Sequence, residues 1–246
     1  MIKLLAIEWL KIKSYKTFWI LLGLFALFLP LFNLIFSSKI FNFGSGGLPG
    51  LNYSFPGVWS SYSYFASIFV MFISFLIIIL ISNEYTYKTH RQNIIDGHTR
   101  LQFFHAKVGL VVMLALFTTL YTAVGAMVFG MAYSNSYIYF TSGMISLGYF
   151  FILCLNYYGF AMMLSLLLRR SGLTIGIYLI YALFVETIIG ALLNYYSKGA
   201  HLGFYLPLQS SDELLPFPLQ RMAGAATGDG IYPENWLLVI VSCSYI

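Results

Sequence analysis

The chain is poor in charge: it has 13 Lys and Arg and 8 Asp and Glu, so 9% of its 246 residues are charged. Soluble domains carry about 25%, which excludes a globule with a fully water-facing surface. Cysteine is scarcer still. Cys154 and Cys243 both lie in apolar runs, which excludes a disulfide framework or a Cys-x-x-Cys metal site and makes both expected core residues. No G-x-x-x-x-G-K-[ST] phosphate loop occurs, and the Gly-rich GSGGLPG at 44–50 lacks its lysine. That segment reads as a flexible connection. No H-E-x-x-H is present, and His90, His98 and His105 are spaced eight and seven apart, so no ligand pair falls at i, i+4. Without G-x-S-x-G or a carboxylate pair inside an apolar run, a membrane hydrolase lacks its machinery.

Hydrocarbon is abundant. The chain is 60% hydrophobic and 19% aromatic, with a mean hydropathy of +0.82. A helix needs roughly 20 apolar residues to cross about 30 Å of hydrocarbon. Apolar runs at 17–36, 62–82, 108–132, 143–168, 173–195 and from 236 onward predict six spans. The last reaches Ile246 after some 11 residues, so the sixth helix is expected to be incomplete. The first is too long for a signal-peptide core and has no small-residue cleavage site after it.

Basic residues set the orientation. Lys3, Lys11, Lys13, Lys16, Lys88, Arg91, Arg100, Lys107, Arg169 and Arg170 fall on one side, against Lys39, Lys198 and Arg221 on the other. The N-terminus is therefore expected in the cytoplasm. The net charge of +5 records topology and not nucleic-acid binding. Trp19, Tyr85 and Tyr87 near inner ends, and Trp59, Tyr62, Tyr133, Tyr137, Tyr195 and Trp236 near outer ends, read as interfacial aromatics.

The connection at 83–107, NEYTYKTHRQNIIDGHTRLQFFHAK, spends six charges and three histidines between two apolar runs. Thr89-His-Arg-Gln92 is a capping-box pattern that opens a short helix carrying Ile94 and Ile95, and Gly97 suits a left-handed stop. Thr99-Arg-Leu-Gln102 repeats the box and starts the next helix. A plain loop with inside charge is the alternative, but a rigid knob of mixed polarity suits a protein-binding surface.

This segment resembles the first cytoplasmic loop of permease subunits in type 2 ABC exporters. There, an acidic residue ends span 2, a Thr-rich turn and a short coupling helix follow, and a basic residue opens span 3. Glu84, Thr86, Thr89, Gly97, Arg100 and Lys107 fall in those places; Lys88-Thr89 departs from the Gly-Thr pair frequent in the family. The arm MIKLLAIEWLKIKSYKTFW is similar to the family's elbow helix, and Leu4, Leu5, Ile7 and Ile12 beside Lys3, Lys11 and Lys13 suit an interfacial amphipathic helix in any case.

The resemblance implies an all-α membrane protein: one permease domain over 1–246, with an interfacial elbow arm at 1–16, six transmembrane helices, a cytoplasmic coupling loop at 83–107 and an extracellular connection at 196–235. It implies contact with a separate ABC ATPase through Glu84, Thr89, His90, Arg91, Ile94, Ile95, Asp96, Gly97 and Arg100. ATP and Mg would belong to that partner, with no cofactor in this chain. It further implies a second permease copy, the same or different, and a multi-pass place in the bacterial inner membrane. A stand-alone carrier or channel is the rival, and would need polar groups in several spans.

Two polar residues stand inside spans. Glu186 lies mid-span, where a charge costs at least about 2.5–3.5 kcal/mol, and Ala182 and Gly190 share its narrow face. Asn156 lies at similar depth in span 4. Both suit a substrate path or a dimer seam; a protonated Glu186 hydrogen-bonded inside the bundle suits the sequence equally. Gly172 and Gly176 form a G-x-x-x-G packing pair. The 196–235 connection, with Asp212, Glu213, Asp229 and Glu234, is apolar enough to form a lipid-adjacent cap; a plain extracellular loop is the alternative.

Overall fold

The computed structural model describes residues 12–13, 15–37, 51–88, 99–134, 138–196, 202–216 and 235–246. The expected coupling helix at 89–96 lies outside these residues, as does nearly all of the elbow arm. Among the described residues the fold is helical, without strands. Five helices are long and apolar enough to cross a membrane: α1 (Lys16–Ser37), α2 (Gly57–Thr86), α3 (Arg100–Tyr133), α4 (Ile145–Leu168) and α5 (Ser171–Tyr196). A 3-10 turn (Leu202–Tyr205), a short α6 (Gln209–Asp212) and α7 (Asn235–Tyr245) follow. The expected sixth span corresponds to α7, which is 11 residues long.

Two helices overrun their expected limits. The hydrocarbon run of α2 begins at 62, but its helix starts at Gly57, and α3 starts at Arg100 and not 108. The cause at α3 is the predicted cap. Thr99 Oγ1 accepts from Gln102 N at 3.2 Å, and Thr99 N donates to Gln102 Oε1 at 2.9 Å. The polar connection therefore narrows from 83–107 to 87–99.

In lipid, burying apolar surface between helices gains little, so packing and buried hydrogen bonds must hold the bundle. α2 is its centre, with 61% of its apolar core buried, against 17% for α1 and α5. On one side Phe28, Phe32 and Phe36 of α1 interleave with Phe65, Phe69 and Phe72 of α2, with ring centroids from 5.0 Å (Phe36–Phe65) to 6.4 Å (Phe28–Phe69). On another, the rings of Tyr62 and Phe55 lie against Gly125 and Gly130 of α3, where any Cβ would overlap them.

Trp59 and Tyr62 correct the interfacial expectation. Both are fully buried, and the Trp59 indole donates to the Phe140 carbonyl at 2.8 Å. Trp19, Tyr87, Tyr133, Tyr195 and Trp236 are exposed, as an interfacial belt requires. Of the cysteines, Cys154 is a core residue beside Thr118, but Cys243 is exposed, because it falls on the outward face of α7.

Candidate functional site

Two regions concentrate buried polarity. The first is the end of the bundle where α1, α3 and α5 begin and α2 and α4 finish. Every Lys and Arg among the described residues lies there. Lys107 is 1% exposed, and its Nζ lies 2.6 Å from Glu84 Oε1 and 5.1 Å from the Phe103 ring. Removing one member of a buried pair leaves an uncompensated charge, a loss of about 3–5 kcal/mol.

Beside this pair Asn83 donates to the Tyr15 hydroxyl at 2.5 Å, and the Arg169 guanidinium sits 5.4 Å from the Tyr85 ring. Consecutive residues of α2 thus clasp the segment before α1, the start of α3 and the end of α4. Both ends of the 87–99 connection are held. Lys88 closes α2 at φ 58, in the left-handed region. That is the conformation glycine adopts without cost, so the departure from Gly-Thr changes the side chain and keeps a backbone that glycine would favour.

Of the expected partner contacts, Glu84 stands in the clasp and Arg100 in the first turn of α3. Thr89, His90, Arg91, Ile94, Ile95, Asp96 and Gly97 lie outside the described residues. His105 lies exposed on α3.

The second region surrounds Glu186. Five π-helical residues, Tyr181–Val185, interrupt α5 immediately before it. Glu186 is 2% exposed, and its Oε1 accepts from Leu208 N at 2.6 Å and Gln209 N at 2.9 Å. The carboxylate therefore caps the N-terminus of α6, satisfying backbone donors that a helix start leaves free. On the narrow face read from Ala182 and Gly190, the same segment packs against Gly190. Gly203 packs on the Gly190 carbonyl, where a Cβ would collide, and Gly203 N donates to Asn194 Oδ1 at 2.8 Å. Residues 202–216 thus fold back against the bundle and are more than a surface cap. Ser210 meets Ser242 of α7 at 3.0 Å. Asn156 is 5% exposed on α4, and neither atom of its amide has a hydrogen-bond partner.

Asp212 ends α6 and accepts the Tyr157 hydroxyl on both oxygens, at 2.9 and 2.8 Å. Tyr157 lies 12 residues into α4, roughly 18 Å along the helix at about 1.5 Å per residue. Asp212 is partly buried and lines a cavity. Burial pushes its carboxyl from 3.8 up to about 7; the Tyr157 hydrogen bond opposes this, and the Glu186 and Glu213 carboxyls add to it. Burial also raises Glu213.

The cavity, of about 420 Å³, lies between α2, α4, α5 and the 209–216 segment. Tyr64, Ser67, Tyr157, Gln209, Asp212 and Glu213 form its polar lining, and Ile68, Met71 and Leu183 are among its apolar wall. Sequence reasoning found Glu186 but missed Asp212, Tyr157 and the cavity. The available signal was SSDELL bracketed by Pro207 and Pro216, a short capped turn with apolar residues on its far side.

Residues 4–185 match the family described as ABC-2 family transporter protein. The chain belongs to this family of transporter membrane proteins. No curated protein and no solved structure matches it. The match takes in α1–α4 and α5 as far as the π turn. Membership makes the chain an ABC permease, the membrane part of a transporter and not its catalytic part, and in general implies an ABC ATPase partner. The ABC-2 permease thus has a basic, clasped end beside the 87–99 connection and a cavity lined by α2, α4, α5 and residues 209–216.

Proposed function

We propose that this ABC-2 permease is the membrane subunit of an exporter driven by separate ATPase subunits. It pairs with a second permease copy in a bacterial inner membrane, with its basic end in the cytoplasm. The family match carries the reading. The clasp at Glu84 and Lys107 gives it a mechanism. ATPase closure displaces the 87–99 connection. Because both its ends are pinned to α2 and α3, the displacement passes into α2, the helix that most others pack on. Tyr64, Ser67, Ile68 and Met71 of α2 line the cavity, so a shift of this helix reshapes that cavity as a segment of the substrate path. Glu186 serves the path indirectly, by holding Leu208 and Gln209 in place.

The coupling surface is testable at Ile94 and Ile95. Burying an isoleucine is worth about 1.5–3 kcal/mol, whereas an exposed ion pair is worth about 0–1 kcal/mol. Replacing both by Ser is expected to abolish copurification of the ATPase and stimulated ATP hydrolysis in reconstituted membranes. Arg91→Ala should weaken both modestly and in a salt-dependent way. Full association and activity in the double variant would refute a coupling helix here.

A further inference from the structure

We propose that the cavity between α2, α4, α5 and residues 209–216 binds a small amphipathic organic cation. Its charged centre would lie against Asp212 and Glu213, and its apolar groups against Ile68, Met71 and Leu183. The inference rests on reading the cavity as part of the substrate path, and names the class of substrate.

Three observations support it. The volume, about 420 Å³, falls in the range of roughly 300–1,000 Å³ typical of small-molecule sites, too large for a bare ion and too small for a folded peptide. The lining is mixed in the manner of such sites, with aliphatic walls and a few convergent polar groups, among them the rings of Tyr64 and Tyr157, whose faces attract cations. Among the described residues its charged lining groups are Asp212 and Glu213, both acidic, with no Lys or Arg beside them. Behind the wall, Glu186 adds a third carboxyl that is over nine-tenths buried, and its Oε2 has no hydrogen-bond partner. When ionised, these three carboxyls repel one another, with no cation beside them among the described residues, and a bound cation relieves that repulsion. Among the described residues no acid cluster is arranged to hold a metal ion, so the relief falls to an organic cation that also fills the apolar part.

The groups facing Asp212 fix the pH dependence. Among the described residues they are Tyr64 from α2, Tyr157 from α4, Tyr178 and Glu186 from α5, and Glu213 beside it. None is cationic, so Asp212 takes a proton as pH falls through about 7. Cation binding is therefore expected to be strongest above that pH and to weaken below it, as ligand and proton compete.

The test uses the full chain in proteoliposomes, with binding to protein-free liposomes subtracted. Radiolabelled tetraphenylphosphonium is expected to bind saturably. Its own unlabelled form should displace it, and tetraphenylborate, of the same shape and opposite charge, should not. Asp212→Asn keeps an acceptor for Tyr157 and should weaken binding roughly tenfold or more, the loss expected for one charge-assisted contact. Glu213→Gln, farther from the buried network, should weaken it less. Equal displacement by tetraphenylborate, or wild-type binding in both variants, overturns the inference.

A separate measurement addresses the path itself. In the assembly with its ATPases and a Cys243→Ser background, Ser67→Cys should change its reactivity towards a methanethiosulfonate between nucleotide-free and vanadate-trapped states. A change without preference for the cation sinks the substrate class and leaves the path standing. Unchanged reactivity removes the path, and the inference falls with it.

Discussion

Pro30 stands inside α1, where it can donate no hydrogen bond to the carbonyl of Ala26. In water that carbonyl would be solvated; in hydrocarbon an unpaired backbone group costs several kcal/mol, so a neighbouring group must pair with it. The Tyr121 hydroxyl of α3 does so, reaching Ala26 O at 2.5 Å. One proline thus becomes an interhelical tie. Tyr121→Phe is expected to lower stability by about 0.6–1.7 kcal/mol, the span from the average to the largest hydrogen bond measured between membrane helices by double-mutant cycles. Pro30→Ala restores the intrahelical donor, so Tyr121→Phe should cost much less in that background. A double-mutant cycle read by thermal unfolding in detergent checks this, and additive losses would refute the tie. Lys107 follows the same logic with charge. Its placement in a pattern of basic residues gave no sign that it would be buried, because a loop lysine and a paired one read alike until the partner helix is in place.

At the scale of elements, the π turn Tyr181–Val185 fits one residue more into α5 than an α-helix would, and so rotates everything after it. Glu186 follows directly, and its contact with Leu208 and Gln209 depends on that rotation. Deleting Phe184, which is 58% exposed, should restore an α-helical course and turn Glu186 about 100° around the helix. The 202–216 segment would then lose its anchor. Limited proteolysis is expected to cleave there in the deletion variant and not in the wild type, with α1–α4 intact; equal protection would show that the turn sets nothing.

The sequence made one helix start legible to the residue, because the Thr99 box is written in four neighbouring positions. The long apolar helices were legible for a similar reason, since their signal is local composition. Glu186 was visible as an anomaly, but its partners lie more than 20 residues away in a stretch of no clear period. That distance hid the α6 cap and the Tyr157–Asp212 pair. Trp59 was misread because position along a span says nothing about which face of the helix a ring occupies.

For the whole molecule, the decisive asymmetry is between its ends. The buried centre belongs to α2 and α4, while α1 and α5 leave broad apolar faces outward, as a bundle solvated by lipid or a second permease can. Charge divides along the other axis: the described Lys and Arg gather at the clasped end, and the connection at 138–144 carries none. Positive charge is retained on the cytoplasmic side during insertion, so the clasped end should face the cytoplasm. Tyr87 is 72% exposed at that end, and Ile138 is 83% exposed at the other. In a Cys243→Ser background, Ile138→Cys is expected to react with a membrane-impermeant maleimide added to intact cells. Tyr87→Cys should react only after the cells are opened; Cys154 is buried and contributes no background. Labelling of Tyr87→Cys from outside would invert the molecule, put the 87–99 connection beyond reach of any cytoplasmic ATPase, and remove the coupling mechanism with it.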